Sequence, residues 1–114
     1  MTWDHIRHQA ADILYVPISA ATGGNNTLIA AAAGFKYRVL SYNLVAAGAV
    51  TAKFQSGAGG TDLTGAMSLI TGTQVDMDHS EVGLFETASG ALLNLVLGGA
   101  VQVSGHMTVA KLVA

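Results

Sequence analysis

The four histidines and the serine near one of them are the first side chains that could do chemistry: His5, His8, His79, His106 and Ser104. Ser104 and His106 are two positions apart, so a β-strand would carry both on one face, about 7 Å apart along the strand. That separation is too long for the direct hydrogen bond between a nucleophile and its base. Because no Gly-x-Ser-x-Gly element occurs either, the sequence predicts no catalytic residue and no enzyme activity.

The acidic segment 76–81 is the next candidate site. Asp76, Asp78 and Glu81 offer oxygen ligands that suit Ca²⁺, and the imidazole of His79 suits a transition metal. Their spacing matches no known Ca²⁺ loop, and three acids in a loop are a weak motif. We therefore expect a solvated loop whose carboxylates keep an apolar protein soluble, with ion binding as the open alternative.

The remaining motifs argue against a cofactor. His5 and His8 could chelate a metal from one helical turn, but two ligands are too few for a structural site. The glycine-rich stretch 56–60 could cradle a phosphate only in front of a helix, and Thr-Asp-Leu-Thr-Gly follows it instead. The absence of cysteine excludes disulfides and thiolate ligands. The sequence predicts neither a metal nor a cofactor.

The composition restricts the partners. Hydrophobic residues make up 51% of the 114 positions and charged residues 11%. Five Lys and Arg against seven Asp and Glu leave no basic face for nucleic acid. No uninterrupted apolar run reaches the 18 or so residues that a membrane span needs, and no signal peptide is recognised. Twelve charges are few for the surface of such a domain, so we expect copies of the chain to cover one another in a homo-oligomer.

The elements that must position these residues are β-strands. Period-two alternation runs through residues 36–45, 50–55, 91–97 and 101–113, and glycine-rich turns separate seven or eight short strands. This pattern predicts an all-β fold: one β-sandwich or jelly-roll domain over residues 12–114, preceded by a short N-terminal arm, residues 1–11. The expected core consists of Leu40, Tyr42, Leu44, Val50, Phe54, Leu93, Leu95 and Leu97.

Several local expectations go with this fold. The β-favouring run from Ile13 to Val16 should end at Pro17, which suits an edge strand or the end of a strand, and residues 22–26 should form a turn. Residues 28–33 fit either a strand or a short buried helix. In the strand 36–45, Arg38 should share the core face with Leu40, while Tyr37 and Val39 lie on the opposite face. In the strand 50–55, Thr51, Lys53 and Gln55 should form a wet face.

The arm, Met1 to Ala11, lacks strand alternation and contains Trp3, Ile6 and Arg7. A tryptophan seldom stays in solvent without a partner, and a docked one can bury about 150–250 Å². We therefore expect Trp3, Ile6 and Arg7 to bind a partner surface, with a frayed terminus as the alternative.

Residues 36–114 resemble a set of small virion proteins of tailed bacteriophages. The matching phrases fall in order at residues 38–48 (RVLSYNLVAAG), 50–56 (VTAKFQS), 63–69 (LTGAMSL), 83–87 (GLFET), 90–95 (GALLNL) and 102–108 (QVSGHMT). The resemblance implies a head decoration (cement) protein: a β-sandwich or jelly-roll subunit, often a trimer, on the capsid surface. It implies that the major capsid protein and other copies of the chain are the partners, and it carries no active-site residues.

The sequence is also compatible with a second function. The chain could be a ligand- or receptor-binding β module of a phage tail or fibre. A sugar site of that kind needs exposed aromatic side chains flanked by polar groups. Two of the seven aromatics, Tyr42 and Phe54, already belong to the expected core, which leaves few for such a site.

Overall fold

The structure, a computed structural model, describes residues 12–114, and that part of the chain folds into two antiparallel sheets without a helix. Its ten strands are β1 (Asp12–Ala20), β2 (Gly24–Ile29), β3 (Phe35–Ala46), β4 (Val50–Ser56), β5 (Thr61–Asp62), β6 (Met67–Leu69), β7 (Gln74–Met77), β8 (Phe85–Glu86), β9 (Leu93–Leu97) and β10 (Val103–Val113). The predicted all-β sandwich is confirmed. Within residues 12–114, no helix is long and apolar enough to cross a membrane.

The strand pairing has the order of a jelly roll. The first sheet has the order β1-β10-β3-β7, with β8 also on β3, and the second has the order β2-β9-β4-β5, with β6 also on β4. The outermost of these strands, β1 and β10, pair with each other, and the pairs β2–β9, β3–β8 and β4–β6 follow inward from the two ends. This is the wrapping of a folded antiparallel ribbon, the double Greek key of jelly rolls.

The core between the sheets is apolar. Three aromatic side chains pack together there: the rings of Tyr42 and Phe54 meet edge to face at 4.9 Å inside the core, and the partly buried Phe85 packs against them, 5.2 Å from Phe54. All eight residues of the expected core are buried, with at most 8% of any of them exposed. The period-two pattern thus identified the interior correctly.

The faces of β3 differ from the expectation because of a β-bulge. Thr108 of β10 pairs with Ser41 and Val109 pairs with Val39, so Leu40 is an extra residue in β3. Since one extra residue shifts the alternation, Tyr37 and Val39 point into the core before the bulge, and Tyr42 follows them after it. The prediction that Arg38 shares the core face was wrong, and Leu40 is buried outside the core cluster.

Two strand boundaries also differ. β1 does not end at Pro17 but runs through it to Ala20; it is the edge strand that Pro17 suited, and an edge strand can place a proline where no N–H has to be paired. Of the predicted turn 22–26, residues 22–23 form a bend and residues 24–26 begin β2, and the Asn26 side chain donates a turn-like hydrogen bond to the Thr22 carbonyl at 2.9 Å. β2 ends at Ile29, so two of residues 28–33 are strand and the other four belong to the loop that follows. The other predicted limits lie within two residues of the observed ones.

The sandwich has two distinct ends. Asp12 is in register with Lys111, and Lys111 with Tyr37, so β1 starts at the end where β3 begins; we call this the proximal end. Ala46, at the close of β3, is in register with Val103, and this opposite end is the distal end. A short turn from Ala46 to Val50 brings the chain into the second sheet at the distal end.

Candidate interaction surfaces

Ser104 and His106 lie on the solvent-facing side of the first sheet, and both are exposed. The Ser104 hydroxyl accepts a hydrogen bond from Gln102 Nε2 at 3.1 Å, and the His106 backbone N–H donates to Asn43 Oδ1 at 2.9 Å. Between them, Gly105 packs so closely on Asn43 that any Cβ would collide with the Asn43 carbonyl oxygen. The pair therefore occupies a flat, tightly registered sheet surface, and the structure shows no bond between the two side chains.

The acidic segment 76–81 begins in β7 and continues as a loop. Asp76 Oδ2 accepts a hydrogen bond from Gln74 Nε2 at 3.0 Å, while Asp78, His79 and Glu81 are exposed. The Ser80 N–H donates to the Leu40 carbonyl at 2.9 Å and fastens the loop beside the bulge. Within residues 12–114, no three His, Asp or Glu side chains converge as a metal site would require.

The predicted partner-binding residues Trp3, Ile6 and Arg7 lie in the arm, outside the described residues. The structure does describe where the arm joins the fold. It enters at Asp12, the first residue of the edge strand β1, at the proximal end.

A buried polar ladder crosses the second sheet, and the sequence pattern missed it. Asn94 has no exposed surface; its Nδ2 donates to Asn25 Oδ1 at 2.9 Å and to Gln55 Oε1 at 3.2 Å. Its Oδ1 accepts the backbone N–H of Asn26 at 3.0 Å. Gln55 is 7% exposed, so its predicted wet position was wrong, and its Nε2 donates to Asp62 Oδ1 at 2.8 Å.

The ladder holds strands together and leaves no group for a ligand. Among the described residues, no buried side-chain nitrogen or oxygen lacks a hydrogen-bond partner. At its exposed end, the hydrogen bond from Gln55, followed by that from Lys53, holds the pKa of Asp62 below its usual range. Satisfied amide networks of this kind rigidify a sheet.

An ion cluster ties β8 to β3. Glu86 accepts from Arg38 Nε at 3.0 Å and from Lys36 Nζ at 3.3 Å. Partial burial is the largest single influence and raises the pKa of Glu86, but the hydrogen bonds and charges of Arg38 and Lys36 together outweigh it and lower the net pKa. A recess of about 230 Å³ lies beside this cluster, between Arg38 and Val82. Since the Arg38 guanidinium is paired with Glu86, the recess offers no free cation to an anionic ligand.

Among residues 12–114, four large apolar side chains are more than three-fifths exposed. Tyr15 is 80% exposed on the edge strand β1, Ile70 is 66% exposed after β6, Val82 is 78% exposed in the loop before β8, and Val113 is 79% exposed at the end of β10. Ile70 lies near the distal end and Val113 at the proximal end. Scattered single apolar residues are normal on a surface, so their surroundings decide whether any of them marks an interface.

Val82 borders the recess beside the ion cluster, and Ile70 borders a larger, more apolar groove. The groove has a volume of about 430 Å³ and lies at the distal end, between residues 49–51, 68–70 and 98–99. Its walls combine the apolar side chains of Val50, Leu69 and Ile70 with Ala, Ser, Thr and Gly, and no charged residue lines it. Its volume falls in the range of about 300–1,000 Å³ that is typical of ligand-binding clefts in proteins.

Sequence signals for these features were weak. The Gly98-Gly99 pair and the Ser68 to Ile70 run each occur in the sequence as ordinary turn and strand signals. The ends of β6 and β9 come close because the two strands pair with opposite sides of β4. This proximity follows from the jelly-roll wrapping and not from local sequence. Isolated Asn94 in a leucine-rich strand was the one visible sign of the polar ladder.

The comparisons with known proteins bear on the fold. No family model and no curated protein matches the chain. It is similar to a chain of the solved structure described as "Bacillus endospore appendages form a novel family of disulfide-linked pili". The match covers 90% of this chain and 86% of that one, with a TM-score of 0.51 and 16% sequence identity. At that identity the likeness shows a shared fold, in agreement with the β-sandwich described above.

Proposed function

We propose that this chain is a structural subunit of a tailed-phage virion, a head decoration (cement) protein that binds the major capsid protein on the capsid surface as a homotrimer. The observation that carries the proposal is the exposure of Tyr15 on an edge strand, Ile70 near the distal end and Val113 at the proximal end of a domain with few charges. A subunit with several neighbours has to bury apolar surface on several sides, whereas an isolated domain gains nothing from it.

The solvent-facing side of the first sheet supports the same proposal. Its distal part consists of three register rows, namely Tyr15, Thr108 and Ser41; Pro17, His106, Asn43 and Asp76; and Ser19, Ser104, Val45 and Gln74. Asp76 is the one carboxylate in these three rows, and no lysine or arginine occurs in them. The charged pair Arg38 and Glu86 lies in the next row toward the proximal end. Short, mostly uncharged side chains on a flat sheet can approach another protein surface closely without desolvating many charges.

The contacts between copies are non-covalent in this proposal. The pilus of similar fold is described as disulfide-linked. This chain contains no cysteine, so the same linkage is not open to it. Apolar grooves and flat faces are then the means by which copies associate.

The test is electron microscopy of undecorated heads, from the phage whose genome encodes the chain, after incubation with the purified protein. We expect regular extra density on the head lattice. The variant Tyr15→Glu should weaken the density, whereas Thr27→Glu, an exposed substitution on β2 of the other sheet, should not. Density at the tail alone would support the receptor-binding module instead, and no binding to heads or tails would refute the proposal.

A further inference from the structure

We propose that the distal groove of one copy binds the arm of a second copy, with Trp3 inserted beside Ile70. The inference rests on the self-association in the proposed function and not on capsid binding. The inserted segment is the arm, residues 1–11 of one copy, and the receiving site is the distal groove of the next copy.

The chemistry of the groove suits the apolar residues of the arm. Val50, Leu69 and Ile70 provide apolar walls, and no charged side chain lines the groove. Gly99 adds no steric barrier, since a Cβ placed there would meet nothing within 4 Å. An indole can occupy a volume of about 430 Å³, and its N–H can reach a hydroxyl of Thr51 or Ser68 in the wall.

The position of the groove makes a second copy the donor. The arm starts from Asp12 at the proximal end, and eight residue steps along β1 lead from Asp12 to Ala20, which is in register with Val103 and Ala46 at the distal end. Eight strand residues extend about 27 Å. The nine residues from Trp3 to Asp12 reach at most about 30–32 Å when fully extended.

The groove is also displaced sideways from Asp12. β1 is the edge of the first sheet, whereas β6 pairs with the far side of β4 in the second sheet. Stacked sheets lie about 10 Å apart, and each strand adds about 4.8 Å. Trp3 could therefore meet its own groove only with the whole arm stretched along the diagonal of the sandwich. A neighbour whose distal end faces this proximal end removes that requirement.

Such a contact joins two different surfaces, the arm of one copy and the groove of the next. Contacts of this head-to-tail type close into a ring when the rotation between copies allows it and otherwise extend as a filament. A ring of three copies satisfies every arm and every groove, which agrees with the proposed trimer.

Trp3 is the single tryptophan of the chain, so its fluorescence reports on the arm directly. We expect the emission of the full-length protein to shift to the blue as its concentration rises, in parallel with the molar mass from light scattering. Ile70→Glu should abolish both changes. Val82→Glu is the matched control, because Val82 is also largely exposed but lies outside the groove.

Complementation gives the second test. Trp3→Ala retains an intact groove and Ile70→Glu retains an intact arm, so each should be monomeric alone and the two should form a heterodimer when mixed. A blue shift that is independent of concentration would place the arm in its own subunit and overturn the inference. So would no shift, equal effects of Ile70→Glu and Val82→Glu, or a mixture that stays monomeric. Any of these results leaves head binding to be judged separately by electron microscopy.

Discussion

The interior of the sandwich and its distal end contain similar apolar side chains and differ in what covers them. Phe54, Leu93 and Leu95 have no exposed surface, because each is enclosed by the two sheets. Ile70 is 66% exposed, although it follows the buried Leu69 directly. In the proposed assembly, residues of the same type serve stability in one region and association in the other, so substitutions should separate the two properties.

The largest effect is expected in the interior. Phe54→Ala removes the ring at the centre of the aromatic cluster with Tyr42 and Phe85 and should lower the free energy of unfolding by about 3–5 kcal/mol. Urea denaturation followed by circular dichroism measures it. A loss below about 1 kcal/mol would show that Phe54 is not a core residue.

The polar ladder should have the next largest effect. Asn94→Leu keeps the size of the side chain but removes three hydrogen bonds and leaves the Asn26 N–H without its partner. Gln55 Oε1 still accepts the Gly59 N–H, and Asn25 is exposed to water. An unsatisfied buried group costs about 1–3 kcal/mol, so we expect a loss in that range. The control is Thr27→Ala on the neighbouring strand, which should change the free energy by less than about 0.5 kcal/mol. Equal stabilities of the two variants would contradict a structural role for the ladder.

Acid should weaken the ion cluster at β8. The pKa of Glu86 is lower in the folded protein than in the unfolded chain, so its contribution is fully present above the unfolded pKa and is lost as the pH falls through the folded pKa. The side chain is 37% exposed, so solvent screening limits the contribution to less than about 1 kcal/mol. Glu86→Gln should flatten this part of the stability profile below pH 5, measured by urea titration. An unchanged acid slope would contradict the assignment.

The smallest effect on stability is expected at the distal end. Ile70→Glu places a charge at an exposed position, so the free energy of unfolding of the monomer should change by less than about 0.5 kcal/mol. Its association should nevertheless be lost. Comparing the urea midpoint at low concentration with the molar mass at high concentration separates the two effects. A large loss of stability would show that Ile70 belongs to the core.

The sequence predicted the fold class and the core because burial on one face imposes period-two alternation. That signal is strong at Phe54 and along Leu93, Leu95 and Leu97, all of which are buried as expected. It cannot reveal a bulge, since an extra residue such as Leu40 is defined only by its partner strand. The pattern therefore assigned Arg38 to the wrong face.

The candidate surfaces could be predicted only in part. Gln55 was expected in water because its own strand alternates, but Asn94 of β9 and Asp62 of β5 enclose it with hydrogen bonds. The distal groove arises where β6 and β9 end on either side of β4, a proximity set by topology rather than by local sequence. Long-range strand pairing thus determines both features.

Light scattering of the full-length protein at micromolar concentration tests directly whether this chain associates with copies of itself. We expect a molar mass three times the 11.6 kDa of the chain. The mass should fall toward that of one chain in Ile70→Glu and stay unchanged in Val82→Glu. A stable species of 11.6 kDa for the unmodified protein would overturn the proposed self-association.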